Sequence, residues 1–278
     1  MKIWKAILIS VLFQLSTTLI DFPLLFSRDY FYNTEGTDLV LATQLFLNFT
    51  FYGLWTYYIF KQVHFKYEDE KKVNFDIIFA VIIIFTGFYF FTKPLFYIYQ
   101  YLKVGNGTFN NYHQKTWANL KNHYSIVYVI GLIIFAPVFE EIFFRRFLFV
   151  KLLEKYNFWL SIIVSSILFS AIHLPSYNNL LPTFFLGMLS GFIYYKTRKI
   201  IYSILLHFLL NASFLYLAYS EFGFKFHSYF SRNAFNATFW AINLGGCILL
   251  YFGYKVLLKA LVKENLRIAE LKNPQEKL

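Results

Sequence analysis

The chain has 278 residues, 58% of them hydrophobic and 23% aromatic, with a mean hydropathy of +0.48. Only 15% of the residues are charged, whereas a soluble domain carries about a quarter. The apolar residues form long blocks, and the net charge of +11 comes from Lys and Arg at the block ends. This pattern excludes a nucleic-acid-binding protein and indicates an all-helical membrane protein.

The apolar blocks predict about eight transmembrane helices in one membrane domain. In chain order the predicted spans are residues 4–26, 39–60, 76–98, 124–153, 158–174, 180–196, 200–220 and 236–258. The first has a basic start like a signal peptide, but no small-x-small cleavage site follows, so we interpret it as a span. The fourth is too long for one straight crossing, and the last is followed by a polar tail that we expect to be helical or frayed.

Lys and Arg are distributed unequally between the two sides of this arrangement. If the N-terminus lies inside, 19 basic residues fall on the inside and 7 on the outside. Leaving out Arg145 and Arg146, which lie within a span, still gives 17 against 7. Because basic residues favour the cytoplasmic side, both termini are predicted to be cytoplasmic, in a multi-pass protein of the plasma membrane.

Ionisable residues at membrane depth are rare and point to function. The fourth span carries Glu140, Glu141, Arg145 and Arg146 in the stretch PVFEEIFFRRFLF. Glu141 and Arg145 are four residues apart, so they share a helix face and are predicted to form an ion pair, which could be purely structural. Glu140 lies about 100° around the helix and cannot use the same partner equally well.

The fifth span carries His173, which is followed by Leu174 and Pro175 and could simply be a histidine at a helix end. The turn between the fourth and fifth spans nevertheless places Glu140 and His173 at equal distances from its midpoint. In a tight antiparallel hairpin both would lie about 25 Å from the turn. We therefore predict that the Glu140 carboxylate and the His173 ring share a contact or a water molecule.

The seventh span carries His207 and Asn211, four residues apart and therefore on one helix face. One interpretation is hydrogen bonding between membrane helices. The other is a site, since three spans then present polar groups at similar depth.

These residue types suit hydrolysis. A glutamate in an apolar pocket can act as general base towards water, with a histidine to orient that water. A second histidine and an asparagine amide can donate to an oxyanion. By ligand number and type, Glu140, His173 and His207 could instead hold a divalent metal such as zinc. HExxH is absent, and the single cysteine, Cys247, excludes a cysteine-based site.

Three segments resemble the motifs of one known family. EEIFFR begins at Glu140 and fits EExxxR, FSAIH ends at His173 and fits FxxxH, and HFLLN begins at His207 and fits HxxxN. In this order on three apolar spans, they resemble the CPBP family of CAAX proteases and bacteriocin-processing enzymes, also called the abortive-infection family. The resemblance covers about residues 124–220, between N-terminal helices in 1–123 and a last helix and tail in 221–278.

The resemblance implies an intramembrane endopeptidase. Glu140 would activate water with help from His173, and His207 and Asn211 would stabilise the oxyanion. Glu141, Arg145 and Phe169 would shape the site. Substrates would be peptides or membrane-anchored peptides, with the bilayer as the other partner and no nucleic acid. No cofactor is certain, and a metal stays an alternative.

A second function class remains open, namely a non-catalytic immunity, scaffold or carrier protein. A carrier would more often show internal repeats with interrupted helices at corresponding positions, and the sequence shows neither clearly.

Overall fold

The computed structural model describes residues 1–31, 37–62, 73–95, 97, 129–174, 176–232 and 235–272. Nearly all of these residues are helical, and none of them forms a β-strand. The predicted all-α membrane bundle is therefore confirmed for the described residues. Residues 99–123, which connect the third and fourth predicted spans on the predicted outside, lie outside the described residues.

The N-terminal part of the chain forms α1 (Ile3–Phe31), α2 (Thr37–Gln62) and α3 (Phe75–Phe91). The fourth span is a continuous helical run that changes type along its length. It consists of π1 (Gly131–Phe135), α4 (Ala136–Glu141), π2 (Ile142–Phe149) and α5 (Val150–Leu153). We call this run, residues 131–153, the site helix.

The C-terminal part follows in chain order. It consists of α6 (Phe158–Ala171), a 3-10 turn (Tyr177–Asn179), α7 (Leu180–Thr197), α8 (Ile200–Tyr219), α9 (Glu221–Arg232) and α10 (Ala237–Lys272). Asn157 caps α6, because its side-chain oxygen accepts a hydrogen bond from the Leu160 backbone nitrogen at 2.9 Å.

Each of the eight predicted spans coincides with a helix in its described residues. In the described part of the chain, three helical segments are long and apolar enough to cross a bilayer by length and composition, namely Phe75–Leu95, Ile200–Leu217 and Ala237–Leu266. The polar tail after residue 258 is helical up to Lys272 as part of α10. The sequence analysis missed α9, whose Phe222, Phe226 and Phe230 recur every four residues as on one helix face.

Glycine allows α3 and α10 to pack backbone against backbone. A Cβ atom at Gly87 would lie 2.5 Å from the Leu250 backbone nitrogen, and one at Gly246 would lie 2.9 Å from the Phe91 backbone nitrogen. Between membrane helices the driving force is van der Waals contact, so small residues at the crossing bring the backbones together. The closely packed helices α3 and α10 thus support α8, which lies beside α3.

A second close crossing joins α6 to α7. A Cβ atom at Gly187 would lie 2.9 Å from the Ser166 Cβ, and one at Gly191 would lie 3.0 Å from Ile162. The crossing fixes the position of α6 beside the site helix.

Aromatic side chains attach the α1–α2 hairpin to the site helix. Phe13 stacks on Phe143 with ring centroids 4.1 Å apart, and Tyr52 stacks on Phe139 at 4.4 Å. Trp55 meets both Phe13 and Phe143 edge-on and donates from its indole nitrogen to Ser16 Oγ at 2.8 Å. The hairpin therefore covers the side of the site helix that carries Phe139, next to Glu140.

One end of the bundle gathers several chain segments, and we call it the basal end. The Met1 amine donates to the Lys151 carbonyl at 2.5 Å, near the end of the site helix. The Asn74 backbone nitrogen donates to the Tyr202 hydroxyl at 2.7 Å, which joins the starts of α3 and α8.

Two further contacts complete the basal end. The Lys263 ammonium pairs with Asp76 at 2.8 Å, which brings α10 to the start of α3. The rings of Phe158 and Tyr195 lie 4.5 Å apart, which joins the start of α6 to the end of α7.

Candidate active site

Glu141 lies at the centre of a buried polar network. Its Oε2 accepts from Arg145 Nε at 3.1 Å, and its Oε1 lies 3.2 Å from His207 Nδ1. The residues Glu141 and Arg145 are 0% exposed, and His207 is 2% exposed. The predicted Glu141–Arg145 ion pair is confirmed, and the contact with His207 was not foreseen. Because a carboxylate only accepts, His207 Nδ1 carries the hydrogen and its Nε2 is on the opposite side of the ring.

Arg145 is held by a second helix through Ser165. Its Nη1 donates to Ser165 Oγ at 3.2 Å, and the Ser165 hydroxyl donates to the Phe144 carbonyl at 3.1 Å. This serine of α6 is 1% exposed, so the bonds form in a dry environment. Arg145 Nη2 is buried without a hydrogen-bond partner among the described residues.

Phe169 is the apolar centre around which the charged and imidazole groups gather. It is fully buried, and the Arg145 guanidinium lies 4.7 Å from its ring centroid. The His173 ring lies 5.1 Å from Phe169 and the His207 ring 5.7 Å, both edge to face. A single ring thus spaces the two histidines and contacts the arginine.

Glu140 contrasts with its neighbour. Its side chain is half-buried, and its Oε2 is buried with no hydrogen-bond partner among the described residues. A buried carboxylate oxygen without a partner is unusual and calls for an explanation such as a catalytic role or a bound water. In the described structure Glu140 forms no direct hydrogen bond with His173. The predicted water molecule shared by the two side chains therefore stays a prediction.

His173 lies two residues past the end of α6, in the turn that leads to α7. Its Nδ1 lies 2.9 Å from the Phe169 carbonyl. A carbonyl only accepts, so Nδ1 carries the hydrogen, and in the neutral ring Nε2 is a free acceptor. The helix-end interpretation from the sequence therefore fits the backbone, while the ring keeps one nitrogen available.

Asn211 compensates for a proline in the site helix. The Ala136 backbone nitrogen donates to the Gly131 carbonyl, so the next donor in this π register would be residue 137, towards the Leu132 carbonyl. Residue 137 is proline, which has no N–H. Asn211 Nδ2 donates to the Leu132 carbonyl instead, at 2.9 Å. The structural interpretation of Asn211 thus has direct support, and its second N–H is not used by this bond.

The site helix is not the regular α-helix that the spacing argument assumed. Both π segments adjoin α4, which carries Glu140 and Glu141, and π-helical turns inside α-helices often occur at functional sites. For π1 the sequence does contain a signal, namely Pro137, which lies inside a predicted span three residues before Glu140.

Two further groups complete the surroundings. The Arg146 guanidinium, to which the sequence assigned no role, lies 4.9 Å from the Phe60 ring centroid.

An apolar cavity of about 340 Å³ lies between α3, the site helix and α8, and its lining includes Val138 and Phe208. Ser165 was missed because a serine in an apolar span carries little signal by itself.

Among the described residues, no three His, Cys, Asp or Glu side chains form a group that could hold a metal ion. Glu140, His173 and His207 are therefore not arranged here as a ligand set. No step proposed below passes through a metal.

Comparison with known proteins supports the motif analysis. Residues 122–213 match the family model described as type II CAAX prenyl endopeptidase Rce1-like. A Bacillus subtilis (strain 168) protein provisionally named membrane peptidase YdiL is 36% identical over 78 residues, which are 28% of this chain and 32% of that protein. No solved structure matches. The resemblance drawn from the three motifs is confirmed over this segment.

Proposed function

We propose that this chain, whose residues 122–213 match the Rce1-like family, is a membrane peptidase that hydrolyses a peptide bond with a water molecule activated by Glu140. The observation that carries the proposal is the buried Glu140 Oε2, which has no hydrogen-bond partner in the part of the chain that the structure describes. A general base needs a lone pair that the protein leaves free for water.

The neighbouring glutamate supports this assignment by contrast. Both Glu141 oxygens are engaged, one by Arg145 and the other by His207. An oxygen held in an ion pair is a poor acceptor for a water proton, because taking the proton would also break the pair. Glu141 therefore holds the other groups in place while Glu140 acts on water.

His173 assists through its free ring nitrogen. Its Nδ1 is committed to the Phe169 carbonyl at 2.9 Å, which orients the ring. Nε2 can then accept a hydrogen bond from the attacking water and align its lone pair with the substrate carbonyl carbon.

His207 and Asn211 stabilise the oxyanion. The His207 ring is fixed by Glu141 through Nδ1, and Nε2 donates when the ring is protonated. Asn211 contributes the N–H that it does not give to Leu132. Donors fixed before the reaction lose little energy to reorganisation when the charge develops.

The reaction follows from these positions. Water oxygen bonds to the peptide carbonyl carbon while its proton passes to Glu140. The tetrahedral oxyanion collapses, the carbon–nitrogen bond breaks, and the proton on Glu140 moves to the leaving amine. The products are a carboxylic acid and an amine, which exchange one further proton to become a carboxylate and an ammonium group, so Glu140 ends the cycle as it began. The apolar cavity beside Val138 and Phe208 offers room for an apolar group of the peptide or of its membrane anchor.

The test compares cells that express the wild-type chain with cells that express Glu140→Gln. Mass spectrometry of peptides from the whole culture identifies peptide ends that form only with the wild-type chain, which we call Glu140-dependent ends. Gln keeps the size but cannot accept the proton, so ends that depend on the wild-type chain should disappear. The matched control is Glu154→Gln, because Glu154 is an exposed glutamate in the turn after the site helix. That variant should match the wild type.

The non-catalytic alternative makes the opposite prediction. If wild-type and Glu140→Gln cells yield identical peptide ends and the same phenotype at equal protein level, the peptidase proposal is wrong. An immunity, scaffold or carrier role would then be favoured.

A further inference from the structure

The position of the site along the bundle indicates the side of the membrane from which it is reached. α6 has 14 residues and rises about 21 Å, less than the roughly 30 Å of a bilayer core. His173 comes after the end of this helix. It therefore lies at the opposite end of α6 from residues 154–157, the turn between the site helix and α6, which we call the basal turn.

The α6–α7 connection that begins at His173 is polar. It contains Ser176, Tyr177, Asn178 and Asn179, and the first two of these are exposed. Ser170 Oγ donates to the Leu180 carbonyl at 2.6 Å, which closes the connection on itself. Non-helical backbone is tolerated at membrane depth only where protein or water satisfies it, so this connection marks the side open to water. We call it the mouth.

The burial of the site residues has the same direction. Glu140, His173 and Asn211 are half-buried, whereas Glu141 and Arg145 are completely buried. Asn211 lies on the mouth side of His207 along α8, and its partner Leu132 lies on the mouth side of Glu141 along the site helix. The groups that would meet a substrate therefore face the mouth, and the ion pair closes the site towards the basal end.

Positive charge marks the other end of the bundle. The basal turns and helix ends carry Lys151, Lys155, Lys196, Arg198 and Lys263. The mouth end includes the start of α7 and the end of α3, whose Phe185 and Phe91 rings lie 5.6 Å apart. The described side chains of Lys93, two residues past the end of α3, and of Lys225 on α9 lie near this end, where the Tyr89 and Phe226 rings are 6.2 Å apart.

We propose that the mouth opens on the extracytoplasmic face of the membrane and that the substrates are peptide segments presented from that face. Basic helix ends stay in the cytoplasm, which orients the basal end inwards. The substrate class is therefore exported peptides or the outer flanks of membrane-anchored peptides. The statement about substrates rests on the proposed peptidase function, whereas the statement about access does not.

Thiol labelling tests access without any need for activity. Cys247 is the single cysteine, so Cys247→Ser gives a cysteine-free background. In this background Ser176→Cys places a thiol at the mouth and Glu154→Cys places one in the basal turn. Bacterial spheroplasts are treated with a membrane-impermeant maleimide, before and after permeabilisation.

We expect Ser176→Cys to react in intact spheroplasts and Glu154→Cys to react at least about tenfold faster after permeabilisation. His173→Cys probes the site itself and should react in intact spheroplasts, more slowly than Ser176→Cys. The reverse pattern, or equal labelling of both turns in intact spheroplasts, would overturn the proposal. Labelling in a Glu140→Gln background should be unchanged.

The location of the products tests the substrate class. Peptide ends that depend on Glu140 should appear in the medium or on the outer surface, and their confinement to the cytoplasm would overturn the substrate assignment. An absence of such ends in both places would instead overturn the peptidase function, while the labelling result would still decide the question of access.

Discussion

Glu140 and Glu141 are adjacent in the sequence, yet their surroundings differ in every respect that matters for chemistry. Glu141 has a partner for each oxygen and no exposure, whereas Glu140 is half-buried and has an oxygen for which the described residues provide no partner. Two consecutive helical positions point about 100° apart, so Glu141 lies in the buried network with Arg145 and His207 while Glu140 lies outside that network. One carboxylate is thereby available for structure and the other for reaction.

The difference between Glu140 and Glu141 shows how a membrane protein can keep a reactive carboxylate in an apolar bundle. Burying a charge is costly unless it is paired and hydrogen-bonded. The Glu141–Arg145 pair with Ser165 and His207 meets this condition, and it also fixes the rings around Phe169. We call this network of Glu141, Arg145, Ser165 and His207 the closed region, and the half-buried Glu140 and His173 the open region. The closed region therefore positions the open one, and variants should separate the two.

After Glu140→Gln, His173→Ala should lower activity most in the open region. We expect peptide cleavage to fall by roughly 10²–10⁴, because a positioned acid–base side chain typically contributes this much. Stability should change little, since the ring is half-buried and its side-chain hydrogen bond is a local one, to the Phe169 carbonyl four residues earlier. Cleavage by purified protein and the midpoint of thermal unfolding in detergent are the two measurements. A large loss of stability at unchanged specific activity would place His173 in the closed region.

In the closed region the largest effect should come from Glu141→Gln. The change leaves Arg145 buried and charged without its partner, and breaking a buried pair in this way costs about 3–5 kcal/mol. The yield of folded protein and its resistance to denaturant should fall well below those of Glu140→Gln. If instead Glu141→Gln were as stable as the wild type and inactive, the roles of the two glutamates would be reversed.

Asn211→Ala lies between the two regions and should show both kinds of effect. Loss of one oxyanion donor typically lowers the rate by roughly 10²–10³. Loss of the bond to the Leu132 carbonyl leaves a carbonyl that Pro137 cannot satisfy, which costs about 1–3 kcal/mol.

Asn243→Ala is the matched control for this double effect. Asn243 also donates to backbone carbonyls, those of Phe90 and Phe91 at 3.2 and 3.1 Å, but on α3. Its loss should lower the unfolding midpoint without changing the rate per folded molecule. An Asn211→Ala protein with the same profile as this control would remove Asn211 from the oxyanion role.

The sequence predicted the fold well because hydropathy is a strong signal over 20 residues. It missed α9, where charged and aromatic residues are mixed over 12 residues and no apolar block exists. It also missed both π segments. In π1 the Leu132 carbonyl accepts from Asn211 in place of the donor that Pro137 lacks, and these two residues are far apart in the sequence.

The contacts of the candidate site also fall into those that the sequence predicted and those that it missed. Spacing of four residues was enough for the Glu141–Arg145 pair, because both residues are on one helix. The contacts of Arg145 with Ser165 and of Glu141 with His207 cross between helices, so their detection needs the rotation of each helix about its axis. Equal depth, which the sequence did suggest for Glu140 and His173, does not fix that rotation.

The smallest effect, and the sharpest test of the link between the regions, belongs to Ser165→Ala. The change removes the acceptor of Arg145 Nη1, while Nη2 already lacks a partner among the residues that the structure describes, so we expect a cost of about 1–3 kcal/mol. Arg145 can then shift, and Glu141 and the His207 ring can shift with it. Activity per folded molecule should therefore fall by several-fold to about tenfold, and Ser165→Thr, which keeps the hydroxyl, should recover most of it.

Ser166→Ala is the control because this neighbour is equally buried on α6 and its hydroxyl has no hydrogen-bond partner among the described residues. Removing a buried hydroxyl without a partner should leave stability equal or higher and activity unchanged. If Ser165→Ala lowered stability but left the rate per folded molecule at the level of this control, the closed network would support the fold without positioning the reactive groups. If the rate fell and the threonine variant restored it, the network on Glu141 would position the groups that act beside Glu140.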